Sequence, residues 1–176
     1  MIIFETERLA VRRLEPADKE YFAELFTDPK VLAPIPQKAF TESEINDRFT
    51  KSMRLTLNDI DKQKCACGIF EKGNTKMIGL ALFLLNENNE NELGYRVRPK
   101  YWGKGFGTEI AIGMLEFYFD VLNIKKVTAD VNIGNTASVK ILDKLMTPVK
   151  EFFNERDNCT DRRYELEKKN WLKQRL

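Results

Sequence analysis

Three glycines, Gly103, Gly105 and Gly107, stand at alternate positions in the stretch YRVRPKYWGKGFGTEI, between residues patterned as a strand and residues patterned as a helix. The chemistry such a turn can do is anion binding. The first amides of a helix lack internal partners and sit at the positive end of its dipole, and glycines let a ligand approach the backbone. Two phosphate turns fail on spacing. A P-loop needs four residues between its first glycine and Gly-Lys-Ser/Thr, whereas Lys104 is followed by glycine. A dinucleotide turn needs Gly-x-Gly-x-x-Gly, but after Gly103-Lys104-Gly105 the glycine falls at 107 and threonine at 108. On the glycines alone, a phosphate cradle and a turn of purely geometric purpose both stay open.

Other chemistries are narrowed by what the chain contains. It has no histidine, which removes Ser–His, Cys–His and His–metal mechanisms together. The three cysteines, Cys65, Cys67 and Cys159, are odd in number, and the first two are too close for an ordinary disulfide within one strand. A reducing compartment fits, and no metal site is expected. Lys plus Arg number 29 against 27 Asp plus Glu, so a net charge of +2 gives no general case for nucleic acid. The start, MIIFETERL, lacks a basic region followed by a long apolar one, and no run approaches eighteen apolar residues. The expectation is a cytoplasmic protein without a membrane partner.

The elements that must position the glycine turn follow from patterning. At 176 residues, with 43% apolar and 32% charged residues, the chain reads as one folded domain, 1–176. ERLAVRRLEP alternates as a strand ending at Pro16, and Ala17 to Thr27 carries Tyr21, Phe22, Leu25 and Phe26 at helical spacing. After a proline-bearing crossing, Thr41 to Glu44 reads as a capping box opening a second helix, Glu42 to Leu57. Three strands follow as a meander, with a Gly-Asn turn at 73–74 and a polar tract at 86–91. A helix from Gly107 to Leu122, a strand in KKVTADV, a helix from Asn135 and a closing antiparallel pair complete the chain. The sum is a mixed α/β domain with one strand–helix–strand crossover, which requires parallel neighbours and a right-handed connection.

ELGYRVRPKYWGKGFGTEIA, followed about thirty residues on by VNIGNTASVKILDKL, resembles the core of the GCN5-related N-acetyltransferase (GNAT) superfamily. The likeness is to its RimJ/RimL-like branch, which acetylates ribosomal-protein alanine N-termini; the opening ETERLAVRRLEPAD is similar to that branch's first strand. The resemblance implies a twisted, mostly antiparallel sheet of about seven strands flanked by about four helices. Its central parallel strands splay to hold acetyl-coenzyme A. The family's Gln/Arg-x-x-Gly-x-Gly/Ala pyrophosphate turn falls on Trp102, Gly103, Lys104, Gly105, Phe106 and Gly107, with Trp102 replacing Gln or Arg and Thr108 completing the row of amides. Lys104 is either a further charge for the anion or a solvated surface lysine. Backbone groups of Tyr95, Arg96 and Val97 are implied to bond the pantetheine arm, with Asn132 and Asn135 on the cofactor side; Asn135 also has a simple reading as a helix cap.

Acetyl transfer to an amine needs an unprotonated nitrogen and a way to settle charge on the leaving thiolate. At pH 7 freeing an α-amine of pKa near 8 costs about 1.4 kcal/mol, whereas a lysine near 10.4 costs roughly 4.6, so a base matters more for lysine. By the resemblance Glu92 is the candidate base, against its plain reading as a charged strand-end residue; Glu109 reads as a partner of the helix dipole or of a structural pair. The tyrosine many relatives use as acid falls on Leu142, which leaves Ser138 as the group to meet the sulfur. Met146-Thr147 replaces the family's Gly-Phe, so this helix must end without the usual left-handed glycine. The implied function is direct acetyl transfer from acetyl-coenzyme A to a primary amine, a ribosomal-protein N-terminus or a small amine, by a monomer or homodimer. The helices at 17–27 and 42–57, with the segment between them, would form the acceptor side. The alternatives are a non-catalytic acyl-coenzyme A binding module and an unrelated nucleotide-phosphate binder.

Overall fold

The computed structural model describes residues 1–174. Its eight strands form one sheet. They are β1 (Ile2–Glu5), β2 (Leu9–Arg12), β3 (Cys65–Glu71), β4 (Met77–Leu85), β5 (Asn91–Val97), β6 (Lys126–Asn132), β7 (Thr147–Asn154) and β8 (Cys159–Glu167). The spatial order is β1-β2-β3-β4-β5-β6-β8-β7, antiparallel throughout except for the parallel pair β5–β6. The strand not foreseen is β1, four residues without polar alternation, which pairs with β2 across a tight turn.

Helices cover both faces. α1 (Lys19–Thr27), the single turn α2 (Pro29–Leu32) and α3 (Glu42–Met53) supply Phe22, Leu25, Phe26, Ile45 and Phe49 to a core against Ala66, Phe70 and Leu80. On the other face α4 (Phe106–Glu116) buries Ile110, Met114 and Leu115 against Ile69, Ala81, Phe83 and Val127, joined there by Leu142 of α5 (Thr136–Leu145) and Trp171 of α6 (Lys168–Gln174). Among the described residues no helix is long and apolar enough to cross a membrane.

Local chemistry sets the element ends. The Thr41 hydroxyl accepts from the Glu44 amide at 3.3 Å while the Glu44 carboxylate accepts from the Thr41 amide at 2.8 Å, the reciprocal cap read from sequence. α3 ends at Met53, short of the expected Leu57, because a second cap starts at once: the Asp59 carboxylate accepts from the Thr56 amide and opens a separate turn. The helix expected to reach Leu122 instead finishes at Glu116 and widens into a π-helical turn, Phe117–Val121, with the Leu122 amide donating to the Phe117 carbonyl. That widening lets three consecutive aromatic residues, Phe117, Tyr118 and Phe119, all enter the core. α5 ends at Met146, which is extended, with φ −134° and ψ 168°, and buried, so the chain passes straight into β7 without a glycine cap.

Candidate active site

The parallel pair β5–β6 is joined at a single register position, Glu92 opposite Thr128. Beyond it β6 stays fully paired with β8, and β5 with β4, so the two central strands diverge toward their C-terminal ends. A gap between strands leaves backbone groups that a ligand can bond as an added strand would. The glycine turn lies at the end of β5, beside the open end of this gap.

The backbone of the turn is open to close approach. Gly103 and Gly105 take φ of 75° and 80°, left-handed values that favour glycine, and Gly105 is the N-cap of α4. The Glu109 amide is the first of α4 to bond within the turn, to the Gly105 carbonyl. Among the described residues, the amides of Gly103, Lys104, Gly105, Phe106, Gly107 and Thr108 make no hydrogen bond to protein. Consecutive unpaired amides at a helix start suit adjacent phosphates. A Cβ at Gly107 would come 3.1 Å from Ile141 and 3.5 Å from Tyr95, so this position also lets α4 pack closely on α5 and β5.

Side chains around the turn mostly hold it in shape. Trp102 donates its indole N–H to the Val97 carbonyl at 2.6 Å and its amide to the Pro99 carbonyl, so neither N–H is turned to a phosphate. The Phe106 ring is buried beneath Arg8, whose guanidinium carbon lies 4.7 Å from the ring centre. Arg8 also donates to the Lys104 carbonyl at 3.1 Å and to the Glu109 carboxylate at 2.7 Å, and that carboxylate further accepts from the Arg8 amide and the Thr6 hydroxyl. Hydrogen bonds from Thr6 and Arg8 hold the Glu109 carboxyl below its ordinary pKa despite the opposing effect of burial. Glu109 is thus a structural partner, and Arg8 ties the β1–β2 turn to the glycine loop, a link no local sequence signal announces. Lys104 is exposed, its ammonium over the Tyr101 ring.

Of the strand groups implied by resemblance to bond a pantetheine arm, those of Tyr95, Arg96 and Val97, two carbonyls are already engaged or turned away. The Val97 carbonyl is taken by the Trp102 indole, and the Arg96 carbonyl is turned to β4, where a Cβ on Gly79 would collide with it. The Arg96 side chain is the larger surprise. Alternation of Arg96 and Arg98 with Tyr95 and Val97 reads as a polar outer face, yet both arginines are buried beneath α1.

Glu92 and Arg96 share the face covered by α1 and α3, because strand side chains alternate; Tyr95 lies on the α4–α5 face. The half-buried Glu92 carboxyl is pushed up to about 7, chiefly by burial and next by the Asp130 carboxylate, with Arg163 and Lys64 opposing. Arg163, 3% exposed, is held by Asp130 at 2.6 Å and by Glu87. The Ser138 amide donates to the Asn135 side chain at 3.2 Å, so Asn135 caps α5 as read. The Tyr95 hydroxyl is buried without a hydrogen bond of ordinary geometry, with the Ser138 hydroxyl as its polar neighbour; burial raises this phenol and Ser138 partly offsets that. The Asn132 side chain accepts from the Gly134 amide at 2.6 Å, which shapes the turn into α5. Leu142 is buried in the core.

Comparison with known proteins gives this geometry a family. The model for the acetyltransferase (GNAT) domain matches residues 8–145. An uncharacterized N-acetyltransferase, p20, of Bacillus licheniformis is 31% identical over 143 residues, which is 80% of this chain and 79% of the relative. FsC-acetyl coenzyme A-N(2)-transacetylase of Aspergillus fumigatus is 27% identical over 193 residues, covering 96% of this chain and 77% of the relative. In fold, the chain is similar to a GNAT-family acetyltransferase of Bacillus anthracis, with TM-score 0.79, 23% identity and coverage of 96% and 99%. It is also similar to spermidine N-acetyltransferase of Vibrio cholerae, solved with CoA and spermine, with TM-score 0.77, 18% identity and coverage of 94% and 98%. With the family model spanning most of the sequence and the sheet parted between β5 and β6, the chain belongs to the GNAT acetyltransferase family.

Proposed function

We propose that the protein transfers the acetyl group of acetyl-coenzyme A to a primary amine by direct attack in a ternary complex, and that its site is the gap between β5 and β6. The observation that carries this reading is the row of amides from Gly103 to Thr108, without protein acceptors, where that gap opens. They fit a pyrophosphate, with Lys104 adding charge nearby. Tyr95 and the Val97 amide are the strand groups to meet a pantetheine arm, and Asn132 and Asn135 border the same side. The cosubstrate supplies an acetyl thioester; the rest is done by this chain's side chains.

Glu92 accepts the amine proton. A carboxyl near 7 is ionised in about half of the molecules at neutral pH and is basic enough to take a proton from an ammonium in transit. Ser138 stands on the other face of β5, where its hydroxyl can donate a hydrogen bond to developing thiolate, with the buried Tyr95 phenol beside it. Base and donor thereby approach the gap from opposite sides, as an attack from one side and a departure from the other require. The likeness of WGKGFGTE and GNTAS to the RimJ/RimL-like branch favours a peptide N-terminus as acceptor. The reduced thiols of Cys65, Cys67 and Cys159 support a cytoplasmic setting.

The test mixes protein and acetyl-coenzyme A with N-terminal peptides and small amines, including spermidine, and reads free thiol. At least one amine should raise thiol release well above background, and Glu92→Gln should remove most of the gain. No acceptor above background would overturn the reading in favour of a binding module.

A further inference from the structure

Among the described residues three arginines are buried, and two have carboxylate partners: Arg98 has Glu24, at 2.6 Å, and Arg163 has Asp130 and Glu87. Arg96 has none. It is 8% exposed; its Nη1 donates to the Leu25 carbonyl at 3.1 Å, its Nη2 donates to the Gln37 side-chain oxygen, and its Nε is buried without a partner. A buried cation bonded only to neutral oxygens is unusual, since removing a charge from water is costly unless an opposite charge compensates. Asp157 acts on it electrostatically but is hydrogen-bonded instead by Arg156 and Asn154. Burial, and then the neighbouring Arg48, bring the guanidinium down to about 10, so it stays charged at neutral pH.

The surroundings add more positive charge. The Arg96 guanidinium lies 4.6 Å from the Phe26 ring centre, Phe26 stacks on Phe40 at 4.9 Å, and the Arg48 guanidinium caps the far side of Phe40 at 4.3 Å. Arg156, on the turn between β7 and β8, acts electrostatically on both Arg96 and Glu92. A cationic cluster therefore stands on the face of the sheet from which an amine would reach Glu92, and the Gln37 amide occupies one position where a carboxylate oxygen could bond Arg96.

We propose that Arg96, with Arg48 and Arg156 around it, forms a subsite for a carboxylate on the acceptor, so that the protein acetylates acidic amines in preference to polyamines. The inference rests on the acetyltransferase reading and narrows its substrate class. Arg96 follows Glu92 by four residues on one strand, a rise of about 13 Å. An extended tripeptide places its terminal carboxylate roughly 10 Å from its amine and suits that separation. The acceptor is then a short peptide whose amine meets Glu92 and whose carboxylate meets the arginines.

The test uses trialanine with a free C-terminal carboxylate, the same peptide as its C-terminal amide, and spermidine. Thiol release gives kcat/KM for each, and calorimetry with coenzyme A present gives the affinity of N-acetyltrialanine as acid and as amide. A site built to bond a group discriminates strongly against the analogue lacking it, so the acid should be favoured by about tenfold or more in both measurements. In Arg96→Gln the preference should fall to within about twofold. Should that variant fail to fold, Arg156→Gln, changed at an exposed side chain, should still lower the preference severalfold. Equal handling of acid and amide, a preference unchanged in the folded variant, or faster acetylation of spermidine would overturn the subsite and leave the acetyltransferase reading standing. Acid-selective binding without turnover of any amine would uphold the subsite and count against the transferase.

Discussion

Replacing Glu92 by glutamine should make the protein more stable at alkaline pH while impairing its chemistry. The carboxyl is raised from its ordinary 4.5 to about 7 because burial and Asp130 disfavour its charged form in the folded state. The linkage sign follows: an acid whose folded pKa is raised binds its proton more tightly when folded. Its stabilising contribution is complete below about 4.5 and is lost as pH rises through about 7. At about 1.4 kcal/mol per pH unit, ionising Glu92 costs the fold roughly 3 kcal/mol at pH 8.5, an upper figure because the side chain keeps some contact with water. Glutamine has the same shape and never ionises. The variant should match the parent near pH 4.5 and exceed it by roughly 1–3 kcal/mol at pH 8.5, a rise of about 2–4 °C in melting temperature for each kcal/mol. Urea denaturation of both proteins across pH 4.5–8.5 measures this difference. A pH-independent difference would refute the reasoning, because it would show that the Glu92 carboxylate carries no penalty in its place between β4 and β6.

Further expectations concern the surrounding groups. Arg163→Leu removes the cation that lowers Glu92 and strands Asp130, so the acidic limb of the pH–rate profile, set by ionisation of the base, should move to higher pH, and urea titration should show a loss of about 3–5 kcal/mol. Gly105→Ala places a Cβ at φ 80°, which costs about 1–2 kcal/mol and should raise KM for acetyl-coenzyme A more than that for the amine, as steady-state kinetics would show. Asn135→Ala deletes the α5 cap and should cost about 1 kcal/mol in denaturation, with a deficit at least as large when coenzyme A is bound.

Features encoded within a few residues were legible in the sequence. The Thr41–Glu44 box, the Asn135 cap, the glycine start of α4 and the absence of a left-handed glycine cap at Met146 all follow from local backbone chemistry. The parting of β5 from β6 was implied only by resemblance, since no residue of either strand announces it. What escaped depends on distant partners. Arg96 and Arg98 alternate like surface residues, and only α1 packing on β5 buries them. β1 has no polar alternation and becomes a strand by pairing with β2. Trp102 sits at the family's Gln/Arg position, but its N–H groups serve the turn itself.

The central claim, that Gly103–Thr108 cradles the pyrophosphate of acetyl-coenzyme A, is tested most directly by following backbone amide resonances of the labelled protein during titration with coenzyme A. The largest shifts should fall on Gly103 to Thr108, with further shifts at Tyr95, Asn135 and Ser138, and ATP should compete weakly. Saturating coenzyme A that leaves the Gly103–Thr108 amides unmoved, or moves a different surface, would contradict the account.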